Sequence, residues 1–235
     1  MSKALLLVET SGIQSYVFGS NELLQNIGAS ELVAQATSKW VVDILDLLIK
    51  GKHNAEWDKQ KHDVALNPDL ILAPTLDAEV IYSGGGNALI LFANHGELSK
   101  EFAKALSMKA LREAPGLQLV LKHMPFNPTS DKLSASHQEL ITELAKRKLS
   151  RMPSIPLLGL GVTAECVYTG KPAVEWNKDE PPASAEVVAK LAVKDKGIQR
   201  LNGQLSEVDL KDYKFIYDFD HFGTKGESTY LAVIH

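Results

Sequence analysis

The run Ala4 to Val8, ALLLV, is apolar at every position and stops at Glu9-Thr10-Ser11-Gly12. That is the pattern of a central strand covered on both faces and ending in a polar turn. From Ser30 onward, apolar residues recur with helical period at Val33, Ala36, Trp40, Ile44 and Leu48. This spacing predicts a long helix with Ser30 as its N-cap and Gly51 just past its end. Between these elements, Ile13, Tyr16, Val17 and Phe18 suggest a short helical segment, interrupted around Gly19 and again at Gly28. Residues 51–77 are polar, contain two prolines and show no steady period, so no element is predicted there. Next come two apolar runs in EVIYSGGGNALILFA, joined by Ser83-Gly84-Gly85-Gly86-Asn87. Glycine and asparagine supply the positive φ angles of a tight hairpin. A helix from Gly96 to Ala114 follows, carrying Leu98, Phe102, Ala105 and Leu106, and then Leu117 to Met124 alternates as a half-exposed strand.

The order is therefore strand, helix, strand, strand, helix, strand. The two continuously apolar strands, the first and the third, should be central. This gives an α+β two-layer, ferredoxin-like fold (βαββαβ) with sheet order 4-1-3-2, antiparallel, with both helices on one face. Such a topology brings the end of the first strand to the tip of the hairpin, so Glu9, Thr10 and Ser11 should face Gly84 to Asn87. Beyond a seam at 126–130 the character changes. A helix over 131–149 ends in Lys146, Arg147, Lys148 and Arg151, followed by the proline-rich IPLLGLG. Then come an expected strand Val162 to Tyr168, a turn at Thr169-Gly170-Lys171-Pro172, a helix Ala183 to Lys194, and the strand-like YLAVIH at 230–235. We therefore expect a domain over 1–126 and a helical linker lobe over 127–235.

Composition narrows the function. The chain has 235 residues, 45% hydrophobic, which suits a packed core. Its net charge of -4 gives no global attraction to nucleic acid or anionic membrane, so strong direct DNA binding is not expected and any polyanion contact must be local. A single cysteine, Cys166, excludes an internal disulfide and reads as a buried small hydrophobe. No secretory pattern stands at the N-terminus and the ALLLV run is far short of a membrane span, so a cytoplasmic location is expected. His53, His62 and His95 lack a second ligand at useful spacing and read as surface histidines. Phosphate-loop, nucleophile-elbow and metalloprotease motifs are missing.

The segments ETSGIQSYVF, NELLQNIGASELV, YSGGGNALILF, CVYTGKPA and TYLAVIH, in this order, carry a resemblance. The chain resembles the first palm domain and following linker of the large polymerase/cyclase-like subunit of type III CRISPR effector complexes and related standalone bacterial proteins. The resemblance implies a ferredoxin-like palm and a role in antiviral defence. An active palm of this kind holds two divalent metals with a carboxylate at the end of the first strand and a Gly-Gly-Asp-Asp hairpin. Here Gly86 and Asn87 stand at the two acidic positions, leaving only Glu9 as a weak metal candidate. The resemblance also makes YLAVIH the first strand of a second, catalytic palm, so the chain looks like half of a two-palm enzyme or a natural short form.

The leading expectation is a catalytically degenerate palm, not catalytic on its own, that binds a nucleotide or completes a cleft with a second palm in the same or another subunit. Mg2+ with ATP or another nucleoside triphosphate would then lie at the shared interface. The candidate nucleotide-binding residues are Thr10, Ser11, Gly12, Gln14, Ser30, Gly84, Gly85, Gly86 and Asn87. Ser11 and Ser30 are equally candidate helix caps, and the glycine hairpin is equally a plain turn. Two alternatives stand beside this reading. One is an active metal-dependent cyclase using Glu9 with Glu79 or an acid from a dimer mate. The other is a scaffold among RNA-guided effector subunits that contacts RNA through Lys146, Arg147, Lys148 and Arg151, a group equally read as a solvated helix end.

Overall fold

The computed structural model describes residues 3–20, 22–70, 73–93, 96–150, 161–176, 178, 180–204, 224–225 and 228–229. In chain order, β1 (Lys3–Ser11) leads through α1 (Ile13–Val17) into α2 (Leu23–Thr37) and α3 (Lys39–Ile49). A small hairpin, β2 (Ala55–Asp58) and β3 (Asp63–Leu66), precedes a second one, β4 (Ala78–Gly84) and β5 (Asn87–Phe92). Then come α4 (Glu97–Glu113), β6 (Gln118–Phe126) and α5 (Leu133–Ser150). The remaining elements are β7 (Ala173–Glu175), β8 (Ala183–Ser184), α6 (Ala185–Ala192), α7 (Lys194–Gln204), β9 (Thr224–Lys225) and β10 (Ser228–Thr229).

The main sheet has four antiparallel strands in the order β4-β5-β1-β6. This is the expected ferredoxin-like order, and the two continuously apolar strands are the central pair. Alternation along β1 feeds two cores. Ala4, Leu6 and Val8 pack with Ile90 and Phe92 against Trp40, Leu45, Phe102 and Leu106, in the layer of α2, α3 and α4. Leu5 and Leu7 join Leu89, Leu91, Val120 and Phe126 on the opposite face, under Leu140 and Leu144 of α5. Full burial of each such leucine stabilises by roughly 1.5–3 kcal/mol. Sequence reading put α5 beyond the seam; in the structure it roofs the sheet's second face. We keep the division into 1–126 and 127–235 as a proposal, because α6 and α7 pack instead on α2.

Several local expectations change. The helix expected from Ser30 begins at Leu23, so Ser30 sits mid-helix and caps nothing. Gly28 does not interrupt it: α6 crosses there, and a Cβ at Gly28 would stand 1.9 Å from the Lys190 carbonyl oxygen. The break falls at Ser38, whose hydroxyl donates back to the Ala34 carbonyl at 2.6 Å. Residues 162–168 form no strand. Cys166 instead anchors a tight turn, its N–H donating to Lys171 O at 2.8 Å and its carbonyl accepting from Gly170 N at 2.9 Å. The expected helix 183–194 is α6, which starts after the two residues of β8, and α7 follows it from Lys194. His53 is buried, not superficial, with Nε2 2.9 Å from Asp46 Oδ1, while half-exposed His62 stands edge-on to Trp57. His95, Arg151, the YLAVIH run and all but the last residue of IPLLGLG lie outside the described residues.

The segment without a predicted element covers a sheet edge. Asn54 donates through Nδ2 to Val80 O at 3.0 Å and accepts from Val80 N at 2.7 Å, next to the β-bulge between Val80 and Tyr82. Its carboxamide thus stands in for a neighbouring strand on β4. Among the described residues, no helix is long and apolar enough to cross a membrane.

Candidate functional site

The hairpin between β4 and β5 closes through the pair Gly84–Asn87, with Gly85 (φ 61) and Gly86 (φ 83) at its tip. Both angles are positive, as a two-residue hairpin of type I′ requires. The Gly86 carbonyl accepts two hydrogen bonds from buried Thr10, one from N–H at 2.8 Å and one from Oγ1 at 2.9 Å. A Cβ at Gly86 would lie 2.5 Å from Thr10 Oγ1 and 2.9 Å from Ile13 Cδ1, whereas at Gly84 and Gly85 it would meet nothing within 4 Å. The end of β1 and the hairpin tip therefore converge as the topology predicts. Gly86 is sealed against the helical layer, and Gly84 and Gly85 stay open.

Glu9 lies directly across from Asn87 in the ladder, on the α5 side of the sheet with Leu5 and Leu7. Its carboxylate accepts a hydrogen bond from Lys148 Nζ of α5. On the same face, Tyr82 Oη is 3.1 Å from His137 Nε2. Burial, and then the Glu9 charge, push the Tyr82 phenol up. These residues do not fit a pair of divalent ions: Lys148 already neutralises Glu9, Asn87 is uncharged, and Gly86 has no room for a carboxylate. Glu79 does not supply the second acid. It pairs with Leu91 at the far end of the hairpin from Gly84. Among the described residues no three His, Cys, Asp or Glu side chains are grouped to hold a metal.

Ser11, Gly12, Gln14 and Ser15 line an open depression of about 450 Å3, together with Glu9, Thr10, Ile13 and Lys148. Gly12 takes the left-handed conformation (φ 67) as the N-cap of α1, with no side-chain capping bond. Ser11 is therefore not the cap. Ser15 Oγ donates to Gly12 O at 2.9 Å, closing the turn locally. Ser30 is not brought to this edge; it is exposed, and Arg200 of α7 reaches it at 3.5 Å.

Behind the depression lies a buried charge cluster whose one sequence signal, Glu186 and Lys190 at helical spacing, does not reveal its burial. Lys190, 1% exposed, donates from Nζ to Tyr16 O at 2.6 Å and to Glu186 Oε1 at 2.7 Å, 4.4 Å from the centre of the Tyr16 ring. Lys171, from the TGKPA turn, bonds the other Glu186 oxygen. Burial alone would raise the Glu186 carboxyl; the hydrogen bonds and charges of Lys171 and Lys190 outweigh it and hold the group below its usual range. The basic group on α5 is partly consumed within the chain. Lys146 pairs with Glu143 at 2.8 Å, Lys148 with Glu9, and Arg147 donates to Leu121 O at 3.0 Å.

No family model and no curated protein matches the chain. Among solved structures it is similar to Csm1 of T. onnurineus, at 19% identity and a TM-score of 0.42, over 79% of this chain and 27% of that one. It is similar to a Csm1–Csm4 cassette in complex with cA4, at 18% identity and 0.44, over 64% and 19%. It is also similar to a type III-B Cmr-beta structure in the apo state, at 11% identity and 0.48, over 87% and 33%. These belong to the type III CRISPR systems that the sequence motifs resemble. The chain spans a third or less of the length of each.

Proposed function

We propose that this chain is a catalytically degenerate palm that binds a nucleotide, or completes a nucleotide-binding cleft with a second palm, in CRISPR-type antiviral defence. The observation that carries the reading is the edge where Gly84 and Gly85 stand open beside the depression lined by Thr10, Ser11, Gly12 and Gln14. Bare backbone there allows close approach of a phosphate or base. Its neighbour Glu9 is held by Lys148 rather than left free for a metal. Any Mg2+ would arrive with the triphosphate and take its remaining ligands from the nucleotide, water or the opposing palm. The sequence resemblance supplies the defence context and the expectation of a partner palm among effector subunits.

Calorimetric titration of the chain with ATP and with GTP, each with Mg2+, tests the reading. Binding by the millimolar range, weakened by Gly85→Val and unaccompanied by pyrophosphate release, is the expected result. Absence of binding, alone and with a catalytic palm added, would remove it. Metal-dependent pyrophosphate release that Glu9→Ala abolishes would instead favour an active cyclase.

A further inference from the structure

A second concave surface lies away from this edge. A groove of about 580 Å3 runs along β6, the outer strand of the sheet, between α4 and α5. Its basic side chains are Lys100 and Lys104 from α4, His123 from β6 and Arg147 from α5, and no carboxylate lines it. Lys100 and Lys104 stand one helical turn apart on one face of α4. Neither of them, nor Arg147, forms an ion pair among the described residues, whereas neighbouring Lys122 is paired with Glu143 at 3.5 Å. This concentration of cations is local, since the whole chain carries a net charge of -4. His123 registers the same surplus. Its imidazole is held below the usual range by burial first, then by Lys100, Lys122 and Arg147.

We propose that this groove binds a phosphate-bearing anion through Lys100, Lys104, His123 and Arg147. Three features decide the ligand class. Three cations, Lys100 and Lys104 from α4 and Arg147 from α5, face one space beside the neutral His123 imidazole, whose ring N–H adds a donor, and this suits a ligand with several anionic oxygens. The floor is Leu119, Val120 and Leu121, with no phenyl, phenol or indole ring in the lining, so recognition rests on the cationic groups and falls chiefly on phosphate. An added peptide strand is disfavoured, because Arg147 already occupies the outward carbonyl of Leu121 on this edge. The site is independent of the nucleotide-facing edge and does not rest on that reading.

Free polyphosphate and the backbone of a single-stranded nucleic acid present the same oxygens. Sodium tripolyphosphate and a fluorescent oligouridylate are therefore both titrated against the full chain, at low and at physiological salt. At least one should bind, with affinity falling as salt rises. Lys104→Glu should weaken that binding tenfold or more, while Lys146→Glu, an equal change in charge outside the groove, should alter it less than threefold. Binding of tripolyphosphate alone would assign a small-anion site, and preference for the oligomer a backbone site; either supports the groove. Equal losses in the two variants would reduce the effect to net charge and overturn the proposal, as would failure of both probes to bind wild type at low salt. Both substitutions are at exposed positions, so circular dichroism should show folded protein in each case.

Discussion

Lys148 and Glu9, 139 residues apart, form an ion pair that joins α5 to the end of β1. The pair lies on the sheet face opposite α2, α3 and α4, with Glu9 directly across the ladder from Asn87. Both side chains are 29% exposed, so water screens the interaction only in part. A double-mutant cycle of Lys148→Met and Glu9→Gln should give a coupling of about 1 kcal/mol in urea unfolding. Independent effects of the two substitutions would show that the ion pair adds nothing to the packing of Leu140 and Leu144 and the other polar ties that hold α5.

The two glycines at the hairpin tip should respond unequally to the same change. Gly85→Ala introduces a left-handed alanine into open space, at about 1–2 kcal/mol. Gly86→Ala adds a collision with Thr10 Oγ1 and Ile13 Cδ1, a further 1–3 kcal/mol or so. Urea midpoints of the two variants measure the difference. Equal midpoints would mean that the tip moves away from β1 freely.

Removing Lys190 leaves Glu186 buried with only Lys171 to answer it. Lys190→Met should destabilise the chain by about 3 kcal/mol, the lower end for a broken buried pair, because one partner survives. The carboxyl of Glu186 sits below its unfolded value, so its contribution is present above the unfolded pKa and is lost as pH falls through the folded one. Wild-type stability should therefore drop on acidification below the ordinary glutamate range, and Glu186→Gln should flatten part of that fall. An unchanged acid limb would remove Glu186 as a source of it.

The Cys166 thiol is lowered to about 7. Burial pushes it up, but hydrogen bonds from Thr169, Ser184 and Tyr168 stabilise the thiolate more. Thr169→Val should move the titration, followed by thiolate absorbance, back toward the ordinary thiol range. A curve identical to wild type would show that the Thr169 hydroxyl does not reach the sulfur.

Periodicity made the sheet legible. Ala4 to Val8 and Ala88 to Phe92 are uninterrupted, Leu117 to Met124 alternates, and one topology accommodates those facts together with a glycine hairpin. From it followed the meeting of Thr10 with Gly86. The start of α2 was illegible because Gly28 carries no side chain to signal a helix. Its reason for being glycine is the backbone of Lys190, far along the chain. Asn54 escaped notice for the same kind of reason, since a single carboxamide bonding Val80 leaves no periodic trace. The grip of Lys148 on Glu9 has no local signature either. Lys100 and Lys104 did offer one, two lysines at helical spacing, but only the fold supplies the facing Arg147 and His123.

Asn54 on β4 and Arg147 on β6 occupy backbone groups of the two outer strands. Exposed edge amides and carbonyls are the usual template for aggregation and domain swapping, and here side chains of the same molecule have taken some of those places first. Copies of the chain are thereby discouraged from polymerising edge to edge. At Val80 and Leu121 a partner would have to displace an intramolecular hydrogen bond before it could add a strand, so contacts chosen by charge and shape on the helical faces and loops meet less resistance than pairing through the peptide backbone.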